Sequence, residues 1–415
     1  MGTNTSIGIG IGIPFKNNAL GGDRPYLPPE LKARLIGVWD NYGKKNTDAD
    51  RNIIKNKIHN AGGDLEILNS AYRLNSGFGE YSNDFQEYTY SENVVVKDNT
   101  NAIFNSRGKL LVPYSYLTKD IPSFKIKVSG LSNTYHFRYY YRDSNGVQHS
   151  VDMAKDGNYE LPICYNVQSS SDGTSCGFTN YGSDIVSVEI LPEYEGAFVT
   201  DGIDDMIVSQ NPVSEMLGGS KELTVVSMIH QISPVPDSYG FTNYIREGSI
   251  WSRTNVKTSG KTGIYGYKIS KGNTEVGASN LIDNILGDKA DYEAMGYNTT
   301  NYSDINYSVT GYIKDGSPTE VSSVAWYWTF IAKRALTTDE INQVIAYYNL
   351  DKYVKPDIYY NVKKQGLTND NHAQFGDKLI DYSGNSRDLQ LFNIGWNLGS
   401  GIGKYAEDFS TMKDY

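Results

Sequence analysis

Residues 43–85 and 366–409 are two copies of one sequence unit, and the second copy stops six residues before Tyr415. Asp64-Leu65 aligns with Asp388-Leu389, Asn69 with Asn393 and Tyr72 with Trp396. At the same offset Ser76-Gly77-Phe78-Gly79 matches Ser400-Gly401-Ile402-Gly403, and Tyr81 and Asp84-Phe85 match Tyr405 and Asp408-Phe409. Upstream, His59-Asn60-Ala61-Gly62-Gly63 stands against Asp381-Tyr382-Ser383-Gly384-Asn385, a two-residue difference in a Gly/Asn turn. About 320 residues separate the two starts, far beyond the period of a solenoid, so the repeat marks whole modules in series. If each copy opens a module, the second has an entrance without a body. Residues 356–415 are then expected either to pack as a stub on the first module or to belong to a chain that continues past Tyr415.

Apolar residues make up 39% of the 415 positions and charged residues 21%, while tyrosine alone occurs 34 times. Polar-capable aromatics must carry much of the burial, a balance that favours β-structure with long turns over helical bundles. The net charge of −10 speaks against a nucleic-acid partner, which would need a basic stripe to displace counterions. No apolar run is long enough to span a membrane, and the start lacks a charged segment followed by an apolar one, so a soluble, non-secreted product is expected. Cys164 and Cys176 are the two cysteines; a loop rich in Asn, Ser and Gly lets them meet, and two unpaired thiols are equally consistent with the sequence.

Ile7-Gly8-Ile9-Gly10-Ile11-Gly12-Ile13 alternates strictly, with isoleucine on one face and no side chain on the other. Such a strand is unstable alone and is expected to dock, with Ile7, Ile9, Ile11, Ile13 and Phe15 filling a groove in another subunit. Pro14, Arg24-Pro25 and Pro28-Pro29 then form a stiff connector. Leu35 to Asp40 opens the first module. Alternation marks strands at Phe124–Val128 and Val186–Ile190, and Tyr135 to Tyr141 runs into Asp143-Ser144-Asn145-Gly146, a hairpin signal of the Asn-Gly type. Phe198 to Val208 reads as two short strands about an Asp-Gly turn, followed by strands at Glu222–Ile232, Tyr265–Tyr267 and Val324–Phe330. Thr337-Thr338-Asp339-Glu340 is a capping box, and Ile341, Val344, Ile345 and Tyr348 fall at helical spacing behind it.

Phe198-Val199-Thr200-Asp201-Gly202-Ile203-Asp204-Asp205, Leu223 to Ile229, Ala335-Leu336-Thr337-Thr338-Asp339-Glu340-Ile341, and Asp381-Tyr382-Ser383-Gly384-Asn385 with Asp388-Leu389 occur in an order that resembles the laminin-G-like, concanavalin A-like lectin domains. The resemblance implies an all-β fold: a concanavalin A-like jelly-roll sandwich with an inserted small antiparallel β domain, a Gly-rich N-terminal arm and one short C-terminal helix. It divides the chain into an attachment arm and connector (1–32), a lectin-like opening segment (33–88), an inserted β domain (89–195), the completion of the lectin-like module (196–353) and the start of a second (354–415). The segments from Gly43 to Arg51 and from Tyr359 to His372 are further similar to those opening successive modules in tail-associated structural proteins of crAss-like phages of gut Bacteroides. That resemblance implies a tail fibre or appendage in the virion, anchored to phage tail or collar proteins through its N-terminus. Trimerisation is expected by the same analogy, together with attachment to a host-surface glycan.

The carboxylate pattern of jelly-roll glucanases is absent, and Glu189, Glu193 and Glu195, interrupted by Pro192, read as a solvated turn, so no catalytic residues and no cofactor are expected. The alternative is a secreted or virion-borne enzyme or lectin that binds or degrades glycans. Asp201, Asp204 and Asp205 offer oxygens suited to Ca²⁺, but ordinary Asp-Gly turn chemistry is the preferred reading and no metal is expected. Trp326 and Trp328 fall on one side of an alternating strand and are candidates for stacking on a sugar, against a reading as sandwich core. His230 reads as a satisfied core residue, and the five histidines show no ligand spacing.

Overall fold

The computed structural model describes residues 26–45, 47–58, 62–69, 76–78, 84–112, 120–132, 137–167, 176–233, 240–247, 250–256, 260–270, 275–276, 292–297, 303–314, 316–353, 360, 362–368, 370–382 and 387–392. The arm with Ile7, Ile9, Ile11, Ile13 and Phe15 lies outside the described residues. The chain is mostly antiparallel β-sheet with few helices and divides into two compact units, one ending at Leu350 and one beginning at Asp351.

In the first unit, the apolar run Ser323–Ala332 is the hub. It pairs on one side with Leu223–Ser233, which pairs in turn with Lys261–Ile269. Its other edge is shared by Leu35–Asp40 and Phe198–Val199. A second, eight-stranded sheet runs Ile53–Ile54, Leu65–Leu68, Met206–Pro212, Asn306–Thr310, Gly240–Glu247, Ile250–Val256, Tyr292–Tyr297, Glu275–Val276. Both sheets contribute to one core that includes Trp39, Leu65, Ile67, Ile207, Val225, Ile229, Ile245, Tyr267, Tyr307 and Trp326. The opening segment is thus woven into both sheets, its first strand against Ser323–Ala332 and its third against Met206–Pro212, although more than a hundred residues separate the partners.

Phe198–Val199 and Met206–Pro212 do not pair with each other. The Asp-Gly turn carries the chain from one sheet to the other, because Phe198 is held opposite Trp326 while Met206 is held opposite Leu68. Gly202 sits in this turn at φ +79°, and a Cβ there would come within 3.0 Å of the Ser323 Cβ, so glycine meets both the backbone and the space requirement.

Residues from Thr89 to Leu191 build two five-stranded antiparallel sheets of their own. One contains Thr89–Tyr90, Gly108–Val112, Cys176–Asn180, Phe137–Arg142 and Gln148–Met153. The other contains Val94–Val96, Asn101–Phe104, Val186–Leu191, Phe124–Ser129 and Gly157–Leu161. Alternation works here as the sequence suggests: Ile126 and Val128 are buried while Lys125 and Lys127 are exposed. Phe104, Phe137 and Phe178 fill the space between the sheets, with Phe104 edge-on to Phe137 at 5.0 Å and Phe137 stacked on Phe178 at 5.7 Å. The hairpin at Asn145-Gly146 differs from a two-residue turn. Arg142 is opposite Gln148, leaving residues 143–147 as the loop, and the Asp143 carboxylate accepts from Asn145 N at 2.9 Å and Val147 N at 3.0 Å. A longer Asx-stabilised loop replaces the tight turn.

Helix Thr338–Tyr347 starts at the expected capping box, with Thr337 Oγ1 accepting from Glu340 N and the Glu340 carboxylate accepting from Thr337 N at 2.9 Å. Ile341, Val344 and Ile345 are buried, and Tyr348 is the C-cap. Thr224 ties this segment to the sheet, its Oγ1 donating to Arg334 O at 2.7 Å and accepting from Leu336 N at 2.9 Å. Short helices Pro29–Lys32, Val213–Leu217 and Val362–Gln365 add to the single helix read from the sequence. No helix among the described residues is long and apolar enough to cross a membrane.

The second unit repeats a hairpin of the first. Ile53 opposes Glu66 and Ile54 opposes Leu65; likewise Lys378 opposes Gln390 and Leu379 opposes Leu389. The Asp of each Asp-Leu pair braces its hairpin, Asp64 Oδ1 accepting from Asn56 N at 2.9 Å and Asp388 Oδ1 from Asp381 N at 3.0 Å. This pairing revises the alignment of the turns. The connecting segment is residues 55–64 in the first copy and 380–388 in the second, so the second copy is one residue shorter there rather than two longer.

Candidate functional site

The two tryptophans expected on one side of a strand lie on opposite faces. In Ser323–Ala332, Trp326 is opposite Ile229 and Trp328 is opposite Met228, so Tyr327 is an inserted bulge residue that reverses the alternation. Trp326 enters the core between the sheets, and its Nε1 donates to Thr329 Oγ1 at 2.8 Å. Trp328 faces the other way and stacks on Phe330 at 6.1 Å. Both are 0% exposed, so neither ring offers a face to a sugar.

Asp201, Asp204 and Asp205 do converge, one carboxylate oxygen of each lying within 4.8 Å of the others. Their bonds are those of a braced turn. Asp205 Oδ2 accepts from Asp201 N at 3.0 Å, and Asp201 Oδ1 accepts from Ile203 N at 2.7 Å and Asp204 N at 3.3 Å. Thr310 Oγ1 and Asn69 Nδ2 donate to the backbone oxygens of Asp205 and Asp204. Asp205 is buried and Asp204 exposed, so a cation here would have to complete a shell of six to eight oxygens largely from water. His230 is half-buried rather than core. Its Nδ1 meets Thr262 Oγ1 at 2.6 Å and its ring lies 4.8 Å from Tyr194; burial lowers its pKa, and the nearby Glu193 charge only partly opposes that.

Two constellations escape sequence reading. The first is a buried polar network between the sheets. Ser227 Oγ donates to Asn243 Oδ1 at 2.6 Å and Tyr307 OH donates to the same oxygen at 2.7 Å. Thr329 Oγ1 lies 2.5 Å from Ser227 Oγ and accepts from Trp326 Nε1, while Tyr267 OH donates to Asn243 O at 2.8 Å. Asn243 takes a left-handed φ of +58° within a register shift of its strand, which turns its amide inward. Burial drives the Tyr267 and Tyr307 hydroxyls well above the ordinary tyrosine range, so both remain donors.

The second constellation faces away from the core on the eight-stranded sheet. Ile250 points into the core, and strand alternation therefore places Trp251 and Arg253 on the opposite face. Trp251 Nε1 donates to Tyr244 OH at 2.7 Å, and Tyr244 stacks on Tyr312 at 5.0 Å with 18° between planes. The Arg253 guanidinium lies 4.9 Å from the Trp251 ring centroid and its Nη1 3.6 Å from Glu320. Arg246, opposite Trp251 in the strand pair, donates to Ser303 Oγ at 2.5 Å. Flat aromatic faces beside guanidinium donors are the groups that stack on sugar rings and bind their hydroxyl and carboxylate oxygens. No single stretch of sequence carries this patch; its only local signal is Trp251 flanked by Arg246 and Arg253.

No family model matches the chain, and no curated protein matches it. Among solved structures it is similar to the chain described as "Crystal structure of PBSX exported protein XepA", at 12% identity and a TM-score of 0.12 over 69% of this chain and 93% of that one. A likeness of that size carries no argument about fold or function.

Proposed function

We propose that this chain is a structural protein of a phage virion, a tail fibre or appendage whose two large sheets form a concanavalin A-like jelly-roll and present a glycan-binding face to the host surface. The observation that carries the reading is the repeated opening segment. Its first copy is built into both sheets of a module, and its second copy forms the same hairpin in the same register. Modules strung in series are the architecture of an extended appendage, in which many weak contacts add through multivalency. In this reading the 89–191 sandwich is an insertion in the first module, the arm with Ile7, Ile9, Ile11, Ile13 and Phe15 docks on a tail or collar protein, and the particle-bound form is a homotrimer.

The half-buried Trp251, Arg253 and Tyr312, with Tyr244 buried behind them at 3% exposure, replace the two buried tryptophans as the surface proposed to meet a glycan. Two measurements test the proposal. Antibody labelling of virions by electron microscopy is expected to place the protein on the tail, and labelling confined to the capsid or to released protein would sink the assignment. The full chain is expected to retain host-surface polysaccharide on an array without releasing reducing sugar; turnover of the polysaccharide would favour the enzyme instead.

A further inference from the structure

The two cysteines are brought together inside the 89–191 sandwich. Cys176 begins a strand that lies between Gly108–Val112 and Phe137–Arg142. Cys164 is bridged to Ile121 by two reciprocal backbone hydrogen bonds of 2.9 Å, and the next residue, Tyr165, donates its N–H to Arg142 O at 3.0 Å. Arg142 ends the strand beside Cys176, so this bond holds Cys164 next to it. Both cysteines are free and buried, and they belong to the same core cluster.

We propose that Cys164 and Cys176 are an oxidisable pair, and that a disulfide between them pins the segment after Ile163 to the central strand of its sheet. The backbone bonds to Ile121 and Arg142 and the strand pairing of Cys176 hold the two residues as neighbours in one core, so a short approach brings the sulfurs to bonding distance. The surroundings assign unequal roles. The neighbouring Cys176 thiol, with the Arg142 backbone N–H and charge, outweighs burial and makes the Cys164 thiol more acidic than usual, whereas Cys164 and burial shift Cys176 the opposite way. Ile163 is exposed, so a small opening at that end admits an oxidant.

With oxidised glutathione as oxidant, the Cys164 thiolate attacks one sulfur, breaks the glutathione S–S bond and expels one glutathione thiolate. Cys176 then loses its proton to solvent and attacks Cys164 Sγ, expelling the second. The protein loses two electrons and two protons, and one glutathione disulfide becomes two thiols.

The test uses the full chain, freed of reductant, incubated with oxidised glutathione, then unfolded and alkylated. The expected result is loss of both alkylatable thiols, an intrachain Cys164–Cys176 peptide by mass spectrometry and a melting temperature raised by about 5–10 °C. Cys176→Ser is expected to trap glutathione on Cys164, and Cys164→Ser to form its adduct at least about ten-fold more slowly. Thiols that stay alkylatable, crosslinks only between chains, or a melting temperature that does not rise would overturn the proposal. The wild-type readouts decide the matter even if a serine variant does not fold.

Discussion

Replacing Asn243 with alanine tests whether the buried network holds the two large sheets together. The side-chain oxygen accepts from Ser227 and from Tyr307, and losing each bond costs about 1 kcal/mol. Neither hydroxyl is stranded, because each also reaches Thr329 Oγ1, so no further desolvation cost is added. Alanine at φ +58° adds about 1 kcal/mol, and the space left by the amide about another. Against this, Asn243 Nδ2 is buried without a partner among the described residues, and removing it returns about 1 kcal/mol. The net expectation is a loss of about 3 kcal/mol, which at a urea slope of about 3 kcal/mol per molar moves the midpoint by about 1 M. Tryptophan fluorescence is the assay, since Trp39, Trp251, Trp326 and Trp328 all lie on strands of these two sheets. Asn243→Gly accepts the left-handed backbone and isolates the polar part, so it should lose about 1 kcal/mol less than alanine. A midpoint moved by less than about 0.2 M in the alanine variant would refute the reasoning.

Thr337→Ala removes the side-chain acceptor of the capping box and is expected to cost about 1 kcal/mol in the same denaturation experiment. Partial burial raises the Glu340 pKa, but the Thr337 backbone bond and Arg334 outweigh it and hold the carboxyl below its ordinary value of 4.5; the cap's contribution is therefore complete above that pH and is lost as pH falls through the lower folded value. For His230 the folded pKa lies below the unfolded one, near 6.5, so its neutral form is favoured on folding: stability is full above pH 6.5 and declines below it, and His230→Gln should flatten a melting-temperature profile taken between about pH 5 and 8. Trp251→Ala and Arg253→Ala should each reduce polysaccharide retention at least about ten-fold, with circular dichroism confirming the fold, whereas Trp328→Phe should leave retention unchanged. Leu65→Asp should unfold the first unit at a cost above about 4 kcal/mol, while Leu389→Asp should fall within about 0.5 kcal/mol of wild type in urea melts.

What was legible in the sequence was what neighbours in the chain decide. Alternation gave Phe124–Ser129, Val186–Leu191 and Leu223–Ser233 to within a residue or so, and the capping box gave the start of Thr338–Tyr347, because both signals are complete within a few positions. The same alternation misplaced Trp326 and Trp328, since Tyr327 becomes a bulge only through the register that Leu223–Ser233 imposes from far upstream. Asn243 gives no local hint of its left-handed conformation for a similar reason: the register shift belongs to the pair of strands, not to either one. The Tyr244, Trp251, Arg253 and Tyr312 patch was invisible because its members meet only after several strands have aligned.

The repeat shows how far a short segment specifies its own structure. Its hairpin forms in both copies with one register, so the pairing of Ile54 with Leu65, or Leu379 with Leu389, is set locally and the bracing aspartate travels with it. Burial is not set locally. Leu65 is 0% exposed because Met206–Pro212 pairs along the other edge of its strand and the core closes over it, whereas its equivalent Leu389 is 45% exposed and Phe392, the equivalent of Leu68, is 75% exposed. The apolar pattern of the unit therefore encodes the sheet edge and core face that a module body must supply. That requirement, carried twice in one chain, is the physical basis for reading it as modules in series.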